Sequence, residues 1–126
     1  MPTPDQIRSA LDAYVDGFNT GDKEAWLAAF ADNARQTDPV GTPENVGRVA
    51  IAGFWDRAAA MGDSIAFDMK DVIVCGDQAA MVWTINLKQG EGGMSFDGVD
   101  IFTIDDDGKI SEIKAYWEMS RARQIG

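Results

Sequence analysis

Apolar residues in the first half of the chain recur every three or four positions, a spacing that is typical of amphipathic helices. The first such stretch starts where Thr3 can cap a helix, Pro4 suits the first helical position and Gln6 completes a capping box. A second helix is expected from about Lys23 to Ala31, and a third from Gly47 to Met61. The pattern therefore predicts three N-terminal helices.

From Ser64 onwards, apolar residues alternate with polar ones, which is the period of a half-buried strand. The alternation changes phase at 71–74, where we expect a bulge, and Arg121–Gln124 is expected to be a frayed tail. Helices followed by strands predict an α+β fold with an antiparallel sheet. Because each strand has one apolar face, the sheet must curve around the three helices and leave a pocket between them. The inward positions that line this pocket are predicted to be Tyr14, Trp83, Asp100, Phe102 and Trp117.

One strand, from Phe96 to Ile104, carries a carboxyl group in the middle of its apolar face. Asp100 shares that face with residues such as Phe102, and an unpaired carboxylate is costly among apolar side chains. The group must find a partner or stay protonated, and a protonated carboxyl can donate a hydrogen bond. Two interpretations remain open: a functional acid, or an aspartate that pairs with a buried arginine or lies at a bulge.

Tyr14 and Asp38 also allow two interpretations each. Tyr14 lies on the inward stripe of the first helix, either as a core tyrosine bonded to the backbone or as a phenol aimed at a cavity. Asp38 precedes Pro39, which holds it in extended geometry. It is either a turn-forming aspartate or a carboxylate placed at a strand end, as a general base would need.

The amino-acid composition limits the partners and the catalytic groups that are available to this protein. The 126 residues suit a single domain, 1–126, and a net charge of −10 argues against nucleic acid and anionic membranes as partners. There is no histidine, which excludes imidazole bases and histidine metal ligands, and Cys75 is the single cysteine, expected in the core. The N-terminus lacks the pattern of a signal peptide, and no apolar run approaches a membrane span, so a cytoplasmic location is the default expectation.

Several motifs are distributed over nearly the whole chain. They are Ala13-Tyr14, Gly21-Asp22, Phe30-Ala31-Asp32-Asn33-Ala34, Asp38-Pro39-Val40-Gly41-Thr42-Pro43, Gly47-Arg48, Ile51-Ala52-Gly53-Phe54, Val99-Asp100-Ile101, Asp105-Asp106-Asp107-Gly108-Lys109-Ile110 and Ala115-Tyr116-Trp117. Together these motifs resemble the ketosteroid isomerase family, a branch of the SnoaL-like and nuclear-transport-factor-2-like superfamily of cone-shaped α+β folds.

The resemblance implies a steroid delta-isomerase that converts 3-oxo-Δ5-steroids to 3-oxo-Δ4-steroids without a cofactor or a metal. Asp38 would be the general base, and Tyr14 and protonated Asp100 would donate hydrogen bonds to the oxygen of the dienolate. Where some isomerases have two further tyrosines, this chain has Phe30 and Trp55, so the site is expected to be simpler. The aromatic residues expected to contact the substrate, a small apolar steroid-like ketone, are Phe30, Trp55, Trp83, Phe102 and Trp117.

Other functions stay open. One is a SnoaL-like enzyme that acts on another polycyclic or polyketide substrate, and another is a non-catalytic binder of hydrophobic ligands. An epoxide hydrolase would need an Asp-Arg-Asp trio, but Arg35, Arg48 and Arg57 are interpreted as surface or cap positions. Apolar residues on the outer face of the sheet also predict a homodimer. These are Val82, Thr84, Val99, Ile101 and Thr103.

Overall fold

Three helices precede most of the sheet in a computed structural model that describes all residues from Met1 to Gly126. They are α1 (Pro4–Thr20), α2 (Lys23–Ala28) and α3 (Arg48–Ala59). The predicted capping box forms at the start of α1, because the Thr3 hydroxyl accepts from the Gln6 backbone N–H and the Gln6 side chain accepts from that of Thr3. Helix α2 ends earlier than predicted, because the chain becomes extended at Phe30.

Seven strands form one curved sheet. They are β1 (Phe30–Thr37), β2 (Asn45–Val46), β3 (Ser64–Cys75), β4 (Gln78–Gln89), β5 (Gly92–Ile104), β6 (Ile110–Tyr116) and β7 (Arg123–Ile125). The order across the sheet is β2-β1-β6-β5-β4-β3, with β7 paired to β5. The register of β3 against β4 shifts between Met69 and Asp71, which confirms an irregularity close to the predicted bulge.

The sheet is mixed, whereas the sequence predicts an antiparallel one. Strand β1 runs parallel to β6, and the other neighbouring strands are antiparallel. The alternation of polar and apolar residues shows that a segment is a strand, but it does not show in which direction the strand runs beside its neighbour. The parallel pair was also hard to predict because α3 and three long strands separate β1 from β6 in the sequence. The α+β class and the curved sheet around three helices are confirmed.

The C-terminal tail is also ordered, so the prediction of a frayed end is wrong. Strand β7 pairs with Gly93 to Ser95 of β5, an edge that β6 leaves free because it pairs only from Val99 onwards. The guanidinium of Arg123 lies 2.9 Å from a carboxylate oxygen of Asp97, which fixes the tail further.

Cys75 is exposed rather than buried in the core, because it ends β3 on the outer side of the turn to β4. The buried residues form a cluster of 21 side chains between the helices and the inner face of the sheet. No helix combines the length and apolar character needed to cross a lipid bilayer.

Two close approaches shape this interior. A Cβ atom at Gly17 of α1 would lie 2.6 Å from the Cβ of Trp26, so the glycine lets α2 pack closely on α1. A Cβ at Gly98 of β5 would lie 2.3 Å from the ring of Trp83, so this glycine leaves room for an indole on the inner face of the sheet. The curved sheet does not close on the helices, and a cavity remains between them.

Candidate active site

The cavity has a volume of about 440 Å³ and a mostly apolar lining. Helix α3, the inner faces of β3, β4 and β5, and the loop after β1 supply most of its wall. Five of the predicted site residues line it: Tyr14, Asp38, Trp83, Asp100 and Trp117. These residues come from distant parts of the chain, so the fold brings together two carboxyl groups, a phenol and two indoles.

The other three predicted contact residues do not line this cavity. Phe102 lies behind Tyr14, with ring centroids 5.2 Å apart, and Phe30 lies 6.1 Å from the same ring. Trp55 stacks on Phe18 at 5.0 Å, away from the cavity wall. All three face inward as predicted, but they pack in the core against Tyr14 or Phe18 and are not part of the wall of this cavity.

Asp100 is the most deeply buried carboxyl group in the cavity wall. It is 1% exposed, and it lies opposite Met81 of β4 and Ala115 of β6. Its Oδ1 atom has no hydrogen-bond partner. Burial holds the pKa of Asp100 well above its usual range, and the nearby charge of Asp38 raises it further. The protonated acid is therefore favoured.

The indole of Trp83 has a small opposing effect on Asp100. Its N–H lies close enough to lower the pKa of the carboxyl slightly, but no hydrogen bond with acceptable geometry joins the two groups. Burial consequently dominates, and the proton on Asp100 remains free to be donated to a ligand in the cavity.

Asp38 follows directly after β1, and its peptide bond to Pro39 is cis. The backbone N–H of Val40 donates to the carbonyl of Ala115 at 2.8 Å, which ties the loop to β6. The indole N–H of Trp117 donates to Asp38 Oδ1 at 2.6 Å. Trp117 was predicted only as an aromatic wall, so this hydrogen bond is an additional role.

The ionisation of Asp38 is balanced by two opposing effects. Burial raises the pKa of Asp38 to about 6, although the hydrogen bond from Trp117 favours the ionised form and lowers it. Part of the side chain remains accessible from the cavity. A carboxylate of this kind is ionised at neutral pH and can take up a proton readily.

Tyr14 comes from α1 and is 1% exposed. Burial is the main reason that the pKa of Tyr14 is raised well above its ordinary value, followed by the negative charges of Asp100 and Asp38. The phenol therefore keeps its proton. Five aromatic rings surround it, and none of them offers a strong acceptor for the hydroxyl. They belong to Phe18, Trp26, Phe30, Phe67 and Phe102.

The sequence analysis missed three polar residues of the cavity wall, namely Thr42, Asn45 and Arg57. Asn45 of β2 donates from Nδ2 to the Oε1 of the buried Gln36 at 3.0 Å. Arg57 of α3 lines the cavity, so its interpretation as a surface or cap position is incomplete. Arg57 follows Phe54 by three residues and therefore lies on the same face of α3, and this spacing was the signal that could have identified it.

The cavity does not contain an arginine placed between two aspartates, and no cluster of side chains is arranged to bind a metal ion. Arg35 and Arg48 form ion pairs with Glu44 and Asp32 outside the cavity, and Arg57 is paired with no carboxylate. No group of three or more Cys, Asp or Glu side chains is arranged to hold a metal ion. The groups of the cavity wall whose pKa values are raised are therefore Asp38, with a pKa of about 6, and the protonated donors Tyr14 and Asp100.

Comparisons with known proteins agree with this fold. The model of the SnoaL-like domain matches residues 11–113. A steroid Delta-isomerase from Nocardioides simplex is 28% identical over 112 residues, which make up 89% of this chain and 89% of the relative.

Solved structures are similar at lower sequence identity. RV0760c from Mycobacterium tuberculosis, in complex with estradiol-17beta-hemisuccinate, has a TM-score of 0.84 at 20% identity, covering 94% of this chain and 98% of that one. The epoxide hydrolase/cyclase-like enzyme SalBIII, described for pyran ring formation in the polyether salinomycin, has a TM-score of 0.87 at 21% identity, covering 97% and 98%. The domain match spans most of the chain and agrees with the resemblance to the ketosteroid isomerases, and the chain therefore belongs to the SnoaL-like family.

Proposed function

We propose that this protein is a ketosteroid delta-isomerase, which moves a carbon–carbon double bond of a 3-oxo-Δ5-steroid into conjugation with the ketone. The observation that carries the proposal is the opposite ionisation of groups facing one apolar cavity: Asp38 has a pKa of about 6, while Tyr14 and Asp100 are held in their protonated forms. The isomerase relative from Nocardioides simplex supports the same substrate class.

The reaction is an internal proton transfer. The carboxylate of Asp38 takes a proton from the carbon between the ketone and the double bond, so a C–H bond breaks and an O–H bond forms. The electron pair delocalises onto the ketone oxygen and gives a dienolate. Asp38 then returns the proton to the far carbon of the dienolate, so that the double bond ends beside the ketone and no atom is gained or lost.

Tyr14 and Asp100 stabilise the dienolate oxygen. Both groups are buried and protonated, so they can donate hydrogen bonds where the negative charge develops. The indoles of Trp83 and Trp117 form flat apolar walls for the fused rings, and the Trp117 N–H also orients the carboxylate of Asp38. The proposal is supported by the fact that all of these groups line one cavity.

The test is the ultraviolet absorbance that grows when a Δ5-3-ketosteroid becomes the conjugated Δ4 isomer. We expect rapid conversion by the wild type and a loss of about 10²- to 10⁴-fold in kcat for Asp38→Asn, because the amide cannot accept the proton. Asp12→Asn is the matched control, since Asp12 is an exposed carboxylate on α1 outside the cavity.

Three results would change the proposal. Conversion that survives Asp38→Asn would refute the base while leaving the reaction intact. Binding of the steroid without conversion would indicate a hydrophobic-ligand binder. If the steroid is neither bound nor converted by folded protein, an enzyme acting on another polycyclic or polyketide substrate becomes the better hypothesis.

We also propose that two copies of the chain pair through the outer face of the sheet. Val82 of β4, Val99 of β5 and Tyr116 of β6 lie opposite one another in the register and point away from the helices. Val82 is 41% exposed and Tyr116 is 47% exposed, which leaves an apolar row across three strands. A second copy would cover this row.

A further inference from the structure

Arg57 is the single cationic residue among those that line the cavity. The chain carries 21 acidic residues against 11 basic ones, and Arg35, Arg48 and Arg123 all form ion pairs with carboxylates. Arg57 has neither an ion pair nor a hydrogen bond within the protein, and it is exposed where the cavity meets solvent. An unpaired cation at this place is available to a ligand.

The helix keeps the Arg57 guanidinium close to its own surface. A Cβ atom built at Gly53, one turn earlier in α3, would lie 3.3 Å from the Nη1 atom of Arg57. The guanidinium thus folds back over a position that has no side chain. Glycine in the middle of a helix is destabilising relative to alanine, so its presence beside Arg57 is consistent with a need for space there.

Arg57 is separated from the acidic end of the cavity. Asp100 and Met94 are roughly 20 Å apart along β5, at about 3.3 Å per residue, and Leu87 lies opposite Met94. The segment that follows α3 packs at this Leu87 end, where a Cβ at Gly62 would lie 2.9 Å from the Leu87 side chain. Arg57 belongs to the last turn of α3, next to this segment.

A ligand that reaches both ends must therefore combine a polar group at the deep end, an apolar middle and a group that suits a guanidinium at the mouth. Guanidinium groups bind carboxylates through two parallel hydrogen bonds.

We propose that Arg57 selects fused-ring ketones that carry a carboxylate at the end remote from the ketone, by binding that carboxylate at the mouth of the cavity. This inference rests on the proposed function, since it assumes that the ketone enters towards Tyr14 and Asp100. It adds a specificity-determining residue to that site. A chain with a net charge of −10 repels anions at long range, so a local cation is needed to admit such a substrate.

The test compares two ligands that differ only in charge: 3-oxo-4-androstene-17β-carboxylate and the corresponding 17β-carboxamide. Their dissociation constants are measured at neutral pH by quenching of tryptophan fluorescence, because Trp83 and Trp117 line the cavity. We expect the wild type to bind the carboxylate about two- to fivefold more tightly than the amide, as for an exposed ion pair. The preference should shrink as salt is added.

Variants assign the preference to one residue. Arg57→Gln is expected to bind both ligands equally, and Arg57→Lys to keep part of the preference. Arg8→Gln removes an exposed cation of α1 that lies outside the cavity, and it should leave the ratio unchanged. An unchanged ratio in Arg57→Gln would overturn the inference.

Conversion of a neutral Δ5-3-ketosteroid, measured on the same preparations, separates this inference from the proposed function. Conversion by a wild type that shows no preference for the carboxylate would refute the role of Arg57 and leave the isomerase intact. A preference that depends on Arg57, without conversion of any ketone, would support the carboxylate site and refute the isomerase. If neither ligand binds and no ketosteroid is converted, both are overturned.

Discussion

Two carboxyl groups and a phenol share one apolar cavity, and the charge of Asp38 raises the pKa of both Asp100 and Tyr14. Asp100 is buried without a partner, whereas Asp38 receives a hydrogen bond from Trp117. Burial raises the pKa of Asp38 to about 6 and holds that of Asp100 well above its usual range, because Asp100 is buried more completely and also faces the charge of Asp38. The depth of burial, the neighbouring charge and the hydrogen bond from Trp117 together separate the base from the acid.

The pH dependence of the proposed reaction follows from Asp38. Because only the ionised carboxylate accepts a proton, kcat/KM for a neutral ketosteroid should rise with pH and level off above an apparent pKa of about 6. Trp117→Phe removes the N–H that stabilises the ionised form, so the rise should move to higher pH. Steady-state rates across a pH series measure this shift. The Asp12→Asn control should leave the midpoint of the pH profile unchanged. An unchanged midpoint in Trp117→Phe would contradict the role of the Trp117 hydrogen bond.

Asp100 should make stability depend on pH. A carboxyl group whose folded pKa is raised stabilises the fold below its unfolded pKa, near 4, and this contribution is lost as the pH rises towards the folded value. Asp100→Asn should accordingly increase the free energy of unfolding at pH 8 by about 1–3 kcal/mol relative to the wild type. At pH 4 the difference should largely vanish.

Urea denaturation at the two pH values measures this difference, with activity followed in parallel. Asp12→Asn provides the control, because Asp12 is exposed to solvent. If Asp100→Asn is less stable than the wild type at pH 8, the buried carboxyl group does not destabilise the fold. Proteins commonly retain destabilising residues of this kind at functional sites.

At the scale of elements, the pairing of β4 with β5 builds the floor of the cavity. Gly98 lies opposite Trp83 in this pair, and a side chain at Gly98 would strike the indole. The glycine weakens a strand intrinsically but lets a large ring lie across the sheet. The alternation of β4 and β5 residues, rather than any loop, consequently positions Trp83 and Asp100.

Gly98→Ala should displace the Trp83 ring. The new methyl group would lie 2.3 Å from a ring atom, and overpacking of this kind costs about 1–3 kcal/mol of stability. We also expect KM to rise because the wall moves. Denaturant unfolding and steady-state kinetics measure the two effects. In a Trp83→Leu background the same change should cost less, and equal costs in both backgrounds would argue against a clash.

At the scale of the whole molecule, the curved sheet has one face on the core and one towards solvent. The outer row of Val82, Val99 and Tyr116 is apolar, and in a monomer it would stay in contact with water. The proposed pairing would remove this row from water. It would leave the cavity mouth accessible, since the cavity opens on the inner side of the sheet.

Val99→Glu should therefore convert a dimer into a monomer. A carboxylate in the centre of the apolar row would lose its water when two sheets meet. Light scattering coupled to size-exclusion chromatography gives the mass in solution, which should be twice the chain mass for the wild type. Val49→Glu is the control, because Val49 is 91% exposed and belongs to α3 rather than to the outer row of the sheet. A monomeric wild type would refute the pairing.

Local periodicity was sufficient to predict the main elements and the inward positions. The capping box of α1 and the burial of Asp100 both follow from residues close together in sequence, because helix caps and strand faces are set by neighbours along the chain. Tyr14 on the inner stripe of α1 was predicted in the same way. Single residues could thus be assigned to the interior before the fold was known.

The tertiary structure alone decided which inward residues meet. Asp38 and Trp117 are 79 positions apart, and their hydrogen bond depends on the parallel pairing of β1 with β6, which no local pattern specifies. Phe30 and Trp55 point inward as correctly as Trp83 does, yet only Trp83 reaches the cavity. The local sequence determines which face of a helix or strand points inward. A cavity forms where surfaces from distant parts of the chain do not touch, so its position depends on the packing of the whole chain.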